Sequence, residues 1–267
     1  MRGFTQLTLD ECLFYKRYTD GCSIDVLLHL DDRKGTSDTP ERAHHLLQAL
    51  ERQFKVLKVT QGNKRNNLSK VYVYNREDKT VKVNMPKYAT EIADSYETPD
   101  GGTPLTPHTP TLFKVQEPVR VITARSRKFP QHGYKNNNLF HSCSSRYPMY
   151  SYFFIIQNTT RISDKLIILA QYIKRTSTDG ITLGGDTTGN IRIFAYADAA
   201  YGVHMDGKSH TGLIITLGGD PIFVKSTKQK CVRKSSCEAE IVALSDIVTT
   251  VKWLNDLLVE LIPVSLR

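Results

Sequence analysis

The sequence is short of the features that mark secreted, disulfide-stapled and membrane-spanning proteins. Its five cysteines (Cys12, Cys22, Cys143, Cys231, Cys237) are odd in number, and no two stand in C-x-x-C spacing. That argues against a disulfide framework and against a zinc knuckle, and for free thiols in a reducing compartment. No apolar run approaches the ~20 residues a membrane-spanning helix needs; runs such as Tyr152–Ile156 are far too short. No apolar segment follows Met1-Arg2-Gly3-Phe4, so a signal peptide is not expected. The expected location is the cytoplasm or nucleus, with no membrane partner and no small-molecule cofactor.

What is present is an ordinary globular composition. Of 267 residues, 40% are hydrophobic and 24% charged, which excludes a wholly disordered or collagen-like chain. The formal net charge is +9, which at first sight suggests an anionic partner such as nucleic acid. The excess is local, however. Residues 119–175 hold ten Lys or Arg against one acid, Asp164, and the other residues hold 26 of each sign.

The pattern of elements reads as α+β. Cys12 to Tyr15 and Ser23 to Leu30 are strand candidates around an Asp20-Gly21 hairpin. Thr39 is the expected N-cap of a helix with Pro40 at its first position. Ala43, Leu46, Leu47, Leu50 and Phe54 then recur at helical spacing as a stripe expected to be buried. Val71–Tyr74 and Thr80–Val83 read as a second hairpin, and Tyr88–Tyr96 as a short helix. Residues 98–118 carry five of the eleven prolines and read as an extended connector. Residues 119–175 show no sustained period of 2 or 3.6 until order returns in a short helix near Leu166. From Ile191 come three strands in a meander, with a Gly218-Gly219-Asp220-Pro221 turn. A long helix from Ser235 follows, with Ile241, Leu244, Val248, Val251, Leu254 and Leu258 as its expected buried side.

Three groups of residues could carry chemistry. Asp31-Asp32 ends the apolar run Val26–Leu30, and adjacent carboxylates at a turn suit a divalent cation or a plain solvated turn. Asp198 ends an apolar strand and Glu238 opens the long helix, so both could offer hard oxygen ligands to Mg²⁺. Glu238 also completes an S-x-x-E capping box with Ser235, and Glu240 is expected to face solvent. Between them Lys225, Ser226, Lys228, Lys230, Arg233 and Lys234 form a basic, hydroxyl-bearing strip able to neutralise phosphates.

Two stretches together resemble the Pol polyprotein of copia-type retrotransposons. Cys12–Lys16 followed by Val26-Leu27-Leu28-His29-Leu30-Asp31-Asp32 resembles the reverse transcriptase palm hairpin, with His29-Leu30-Asp31-Asp32 at the place of its Tyr-x-Asp-Asp box. Thr80–Tyr88 resembles the approach to the thumb. Tyr196-Ala197-Asp198-Ala199, Ser209-His210-Thr211-Gly212, Pro221–Lys230 and Ser235–Ser245 follow in the order and spacing of the front half of the family's ribonuclease H domain.

The resemblance implies a truncated palm and thumb piece over 1–97, the connector over 98–118, a degenerate connection region over 119–185, and the N-terminal half of a ribonuclease H-like domain over 186–267. It implies that Asp31, Asp32, Asp198 and Glu238 are metal-binding catalytic acids for Mg²⁺. It implies partners in an RNA–DNA hybrid or nucleic-acid template and in the rest of the polyprotein. The family's remaining catalytic acids lie before Met1 or after Arg267. Arg33-Lys34-Gly35 stands where the family has an apolar strand closing the hairpin, and Leu68-Ser69 where it has Leu-Gly. Between matching flanks, residues 119–175 have the character of an out-of-frame stretch. The expected function is thus a catalytically inactive fragment of an RNA-directed DNA polymerase and ribonuclease H polyprotein. The alternatives are a non-catalytic nucleic-acid-binding remnant or a decayed reading frame.

Overall fold

A computed structural model describes residues 3–29, 32–54, 58–67, 69–95, 104–107, 162–184 and 192–262. Leu30 and Asp31, the side chain of Asp32, most of the 98–118 connector and the aperiodic residues up to 161 lie outside them. The chain divides into two compact units, Met1–Thr60 with Lys252–Arg267, and Gln61–Val251. Strand β8 (Ile181–Gly184) pairs with β7 (Thr80–Asn84) and so joins the two sides of the connector in one sheet.

The first unit is built on an antiparallel sheet in the order β1 (Thr5–Gln6), β2 (Leu13–Arg17), β3 (Ser23–His29), β4 (Asp32–Ser37). The Asp20-Gly21 turn forms as expected, with Gly21 at φ 82, where a side chain would be strained. A strand does follow Asp32, although Asp32–Ser37 is polar throughout. It is an edge strand, pairing only with β3, and a charged edge is tolerated because one side of it meets water. Helix α1 (Pro40–Gln53) starts at Pro40, but Thr39 makes no side-chain cap. Its apolar stripe contains no buried residue, and Phe54 at its end is exposed; the helix meets β4, and its Arg42 reaches Asp20 and Tyr18. Leu7, Ile24 and Val26 form the small core. At the end of the chain, Thr8 donates to Glu260 Oε1 from its hydroxyl (2.6 Å) and its amide (2.8 Å), holding that carboxyl below its ordinary range. Arg17 reaches both Asp25 (2.8 Å) and the Leu261 carbonyl (2.5 Å).

The second unit contains two antiparallel sheets. One runs β5 (Lys64–Asn67), β6 (Lys70–Asn75), β7, β8. Helices α2 (Pro86–Asp94) and α3 (Ile162–Arg175) pack together through Ala89, Ile92, Ala93, Leu169, Ala170 and Ile173. The other sheet is the expected meander: β9 (Ile193–Ala200), β10 (Lys208–Leu217) and β11 (Asp220–Val232), in the order β11-β10-β9. Gly218, at φ 62, makes the tight turn between Leu217 and Asp220. Helix α4 (Ser236–Leu261) follows.

The buried side of α4 departs from the expected one in the first half of the helix, while Val251, Leu254 and Leu258 further along are half-buried. Ala239, Ala243 and Ile247 are buried, whereas Ile241 and Val248 are 59% and 58% exposed and Leu244 is exposed too. Alanines at i and i+4, with Ile247 at i+8, make the buried stripe, and Thr211, Leu213 and Ile215 of β10 are buried as well. Large side chains dominate a hydrophobicity pattern; alanines decide the contact here. Ala243→Leu is therefore expected to destabilise the protein by about 1–3 kcal/mol through overpacking. Leu244→Gln is expected to stay within ~0.5 kcal/mol. Urea denaturation of both variants separates the two faces.

Candidate nucleic-acid interface

In an antiparallel sheet, directly opposed residues share a face. The register pairs Thr211 with Ala199 and Thr227, and Leu213 with Ala197 and Lys225, and these lie on the face that α4 covers. The opposite face carries rows formed by Ala200, His210 and Lys228, then Asp198, Gly212 and Ser226, then Tyr196, Ile214 and Val224. Phe194 lies beyond, opposite Thr216. Tyr196 is 58% exposed and Phe194 45%, and Ile214 is exposed beside them. A Cβ built on Gly212 meets no atom within 4 Å, so the space above this row is open.

The loop from Tyr201 to Gly207 folds over one end of that face. Gly202 (φ 61) and Gly207 (φ 71) give it left-handed turns at its two ends. The Gly207 amide donates to the His204 carbonyl (2.8 Å), and the Gly202 amide to Ser209 Oγ (3.2 Å). His204 Nε2 lies 3.1 Å from His210 Nδ1, and His210 Nε2 lies 2.6 Å from Ser226 Oγ. Asp206 is held between Lys228 (2.9 Å) and Lys208 (3.0 Å). The hydrogen bond from Lys228, then that from Lys208, holds its carboxyl far below the usual range. Burial pushes His210 down to about 4, with His204 adding to the effect. Burial, then the Lys228 charge, also lowers His204, while Asp206 acts in the other direction.

The sequence-derived candidates separate on this scaffold. Glu238 has the capping role: its Oε2 accepts from the Lys234 amide (2.8 Å) and its own amide donates to Ser235 Oγ (3.2 Å). It also lies 3.7 Å from Arg233, whose Nε donates to Gln229 Oε1 (3.0 Å). Glu240 does not face solvent freely. Its Oε1 accepts from the Ala199 amide (3.2 Å) on the free edge of β9, next to Asp198. The signal was in the capping box, since once Glu238 closes the cap, a residue two positions on stands about 200° around the helix, turned toward the sheet. Asp198 lies on the open face, and Glu238 is engaged at the start of α4.

The basic strip divides too. Ser226 and Lys228 are on the open face and Lys225 on the covered one. Lys230 and Lys234 are exposed past an irregularity in the β10–β11 register, and Arg233 is bound to Glu238 and Gln229. Among the described residues, no three His, Cys, Asp or Glu converge as metal ligands. Mg²⁺ requires several convergent oxygens, and the described donors do not supply them, so no chemistry is routed through a metal here. Asp31 and the side chain of Asp32 lie outside the described residues. Sequence reasoning missed His204 and Asp206. A loop that closes by hydrogen bonds leaves no hydrophobic period to detect.

No family model matches the chain, and no solved structure matches it. Two curated relatives do. Over 94 residues, 35% of this chain and 6% of the relative, it is 36% identical to "Retrovirus-related Pol polyprotein from transposon RE1" of Arabidopsis thaliana. Over 261 residues, 94% of this chain and 19% of the relative, it is 22% identical to "Retrovirus-related Pol polyprotein from transposon TNT 1-94" of Nicotiana tabacum. The chain is thus homologous to a segment of transposon-encoded, retrovirus-related Pol polyproteins, and it spans less than a fifth of the length of either relative.

The His210 environment has a consequence for stability. An unfolded histidine titrates near ~6.5, and His210 in the folded chain near about 4. Between those values the unfolded state binds the extra proton, so stability falls as pH drops through this window. The loss is expected to reach on the order of 2–3 kcal/mol by pH 4. Denaturant midpoints between pH 7 and pH 4.5 should decline for the wild-type chain and decline less for His210→Asn.

Proposed function

We propose that the chain derives from the reverse transcriptase and ribonuclease H portion of a copia-type Pol polyprotein and acts as a non-catalytic nucleic-acid-binding segment. The observation that carries the reading is the juxtaposition, on one sheet of residues 193–232, of exposed aromatics, lysines and hydroxyls. Tyr196, Phe194, Ser226 and Lys228 share a face, and this is the composition that meets bases and phosphates. The ordered blocks from Tyr196 to Ser245 and the homology to transposon polyproteins support the same lineage. Catalysis is not part of the proposal. Glu238 is engaged as a helix cap, and metal-assisted hydrolysis depends on acids that converge.

The test uses the purified full chain with an RNA–DNA hybrid. Binding is expected to weaken steeply as salt rises, and neutralising Lys228 and Lys230 together should lower the salt dependence by one to two phosphate contacts' worth. No cleavage is expected with Mg²⁺ or Mn²⁺. Metal-dependent cleavage that Asp198→Asn abolishes would overturn the non-catalytic reading, and salt-independent or absent binding would overturn the reading as a whole.

A further inference from the structure

The open sheet face raises a question that nucleic-acid binding alone does not answer. The lysines best placed to meet a phosphate, Lys208 and Lys228, already hold a carboxylate of the same chain, Asp206, at 3.0 and 2.9 Å. We propose that Asp206 is a built-in competitor, occupying the phosphate seat of a single-strand-binding platform until a nucleic-acid backbone displaces it. The inference rests on the nucleic-acid reading above and adds to it the seat, the strand type and the regulation.

Four observations carry it. First, the two ammonium groups come from different strands and meet at one carboxylate, as they would at one phosphate. Both pairs are partly solvent-exposed, so a ligand of higher charge can compete for the lysines. Second, Asp206 sits at the tip of a loop with left-handed glycines at Gly202 and Gly207. The tip can turn outward without disturbing the ladder of β9 and β10. Third, the neighbouring row is open above Gly212, and Ser226, whose hydroxyl is bonded on one side to His210 Nε2 (2.6 Å), lies in it. Fourth, Tyr196 and Phe194 continue the same face, two residues apart on β9 and both exposed. Strand side chains on one face repeat about every 7 Å, which suits splayed, unpaired bases better than the stacked bases of a duplex.

Charge complementarity selects the occupant. An acidic peptide would satisfy the lysines but would gain little from two exposed aromatic rings, whereas a single strand uses both. Asp198 lies in the row between them and disfavours a second phosphate there. The expected footprint is therefore short, with one phosphate at Lys208 and Lys228 and one or two bases on Tyr196 and Phe194. His204 and His210 stay neutral near pH 7, since burial lowers both. The seat's charge at that pH comes from the lysines and Asp206.

The experiment is fluorescence anisotropy on the full-length chain with a labelled oligothymidylate of about 10 nucleotides, beside the same length of RNA–DNA hybrid. Asp206→Asn should tighten single-strand binding about fivefold, the effect of one exposed ion pair. Adding Lys228→Gln to Asp206→Asn should remove that gain. Tyr196→Ala should weaken binding about fivefold to a hundredfold, the effect of losing one stacked base. Lys87→Gln, which removes one charge from α2, should change nothing comparable. Circular dichroism and thermal melting confirm that each variant folds, and Phe194→Ala gives a second reading of stacking if Tyr196→Ala does not. Binding that appears only in Asp206→Asn would support the competitor role. If the wild-type chain binds and neither Asp206→Asn nor Tyr196→Ala alters its affinity, the seat is elsewhere and this inference fails while the nucleic-acid reading stands. If no form binds either ligand, both fail.

Discussion

One buried carboxamide decides how the C-terminal sheet is used. Gln229 Nε2 donates to Thr211 Oγ1 (3.0 Å) and to the Ala239 carbonyl (2.9 Å), while its Oε1 accepts from Arg233 Nε (3.0 Å). It thereby ties β11 to β10 and both strands to the first turn of α4. A buried amide left without partners would cost roughly 1–3 kcal/mol, so the helix cannot slide along the sheet without losing these bonds. Their position selects the face that α4 covers. The other face, with Tyr196, Asp198, Ser226 and Lys228, is open because the first is closed.

The same constraint explains the different fates of residues that look alike in sequence. Lys225 and Lys228 are three apart, and one lies on the covered face and the other on the open face, because a strand alternates. Glu238 and Glu240 are two apart, and one closes the helix cap while the other reaches the edge of β9. Charge runs read along the chain as strips. The fold sorts them by period, and the useful unit is the face rather than the run.

Much of the second sheet was legible because each strand and turn has its own local signature. The glycines at 218 and 219, the alternating Thr211–Leu217 segment and the Ser235–Glu238 box all lie where the expectation put them. The side of α4 in its first half was not legible, since hydrophobic period weights Ile241 and Val248 above Ala239 and Ala243, and only close packing favours the alanines. Strand β4 was missed for a related reason. Pairing of an edge strand is made by backbone bonds, to which Arg33-Lys34-Gly35 contributes as well as any apolar residues. Strands β5 and β8 carry too few residues for any period to show. The loop with His204 and Asp206 was hidden because its order comes from polar contacts among residues that, read singly, belong to an ordinary turn.

The joining of β7 and β8 into one sheet carries a lesson about tolerance. Gly180 passes so close to β7 that a Cβ there would stand 2.6 Å from the Val83 carbonyl oxygen, and the pairing is thus tightly specified where the strands meet. The length of the connection between the two strands is a softer constraint than that contact. The entropy of closing a loop grows with the logarithm of its length, about 0.6 kcal/mol per doubling. A change in the length of that connection would therefore weigh less on the sheet than a side chain at position 180.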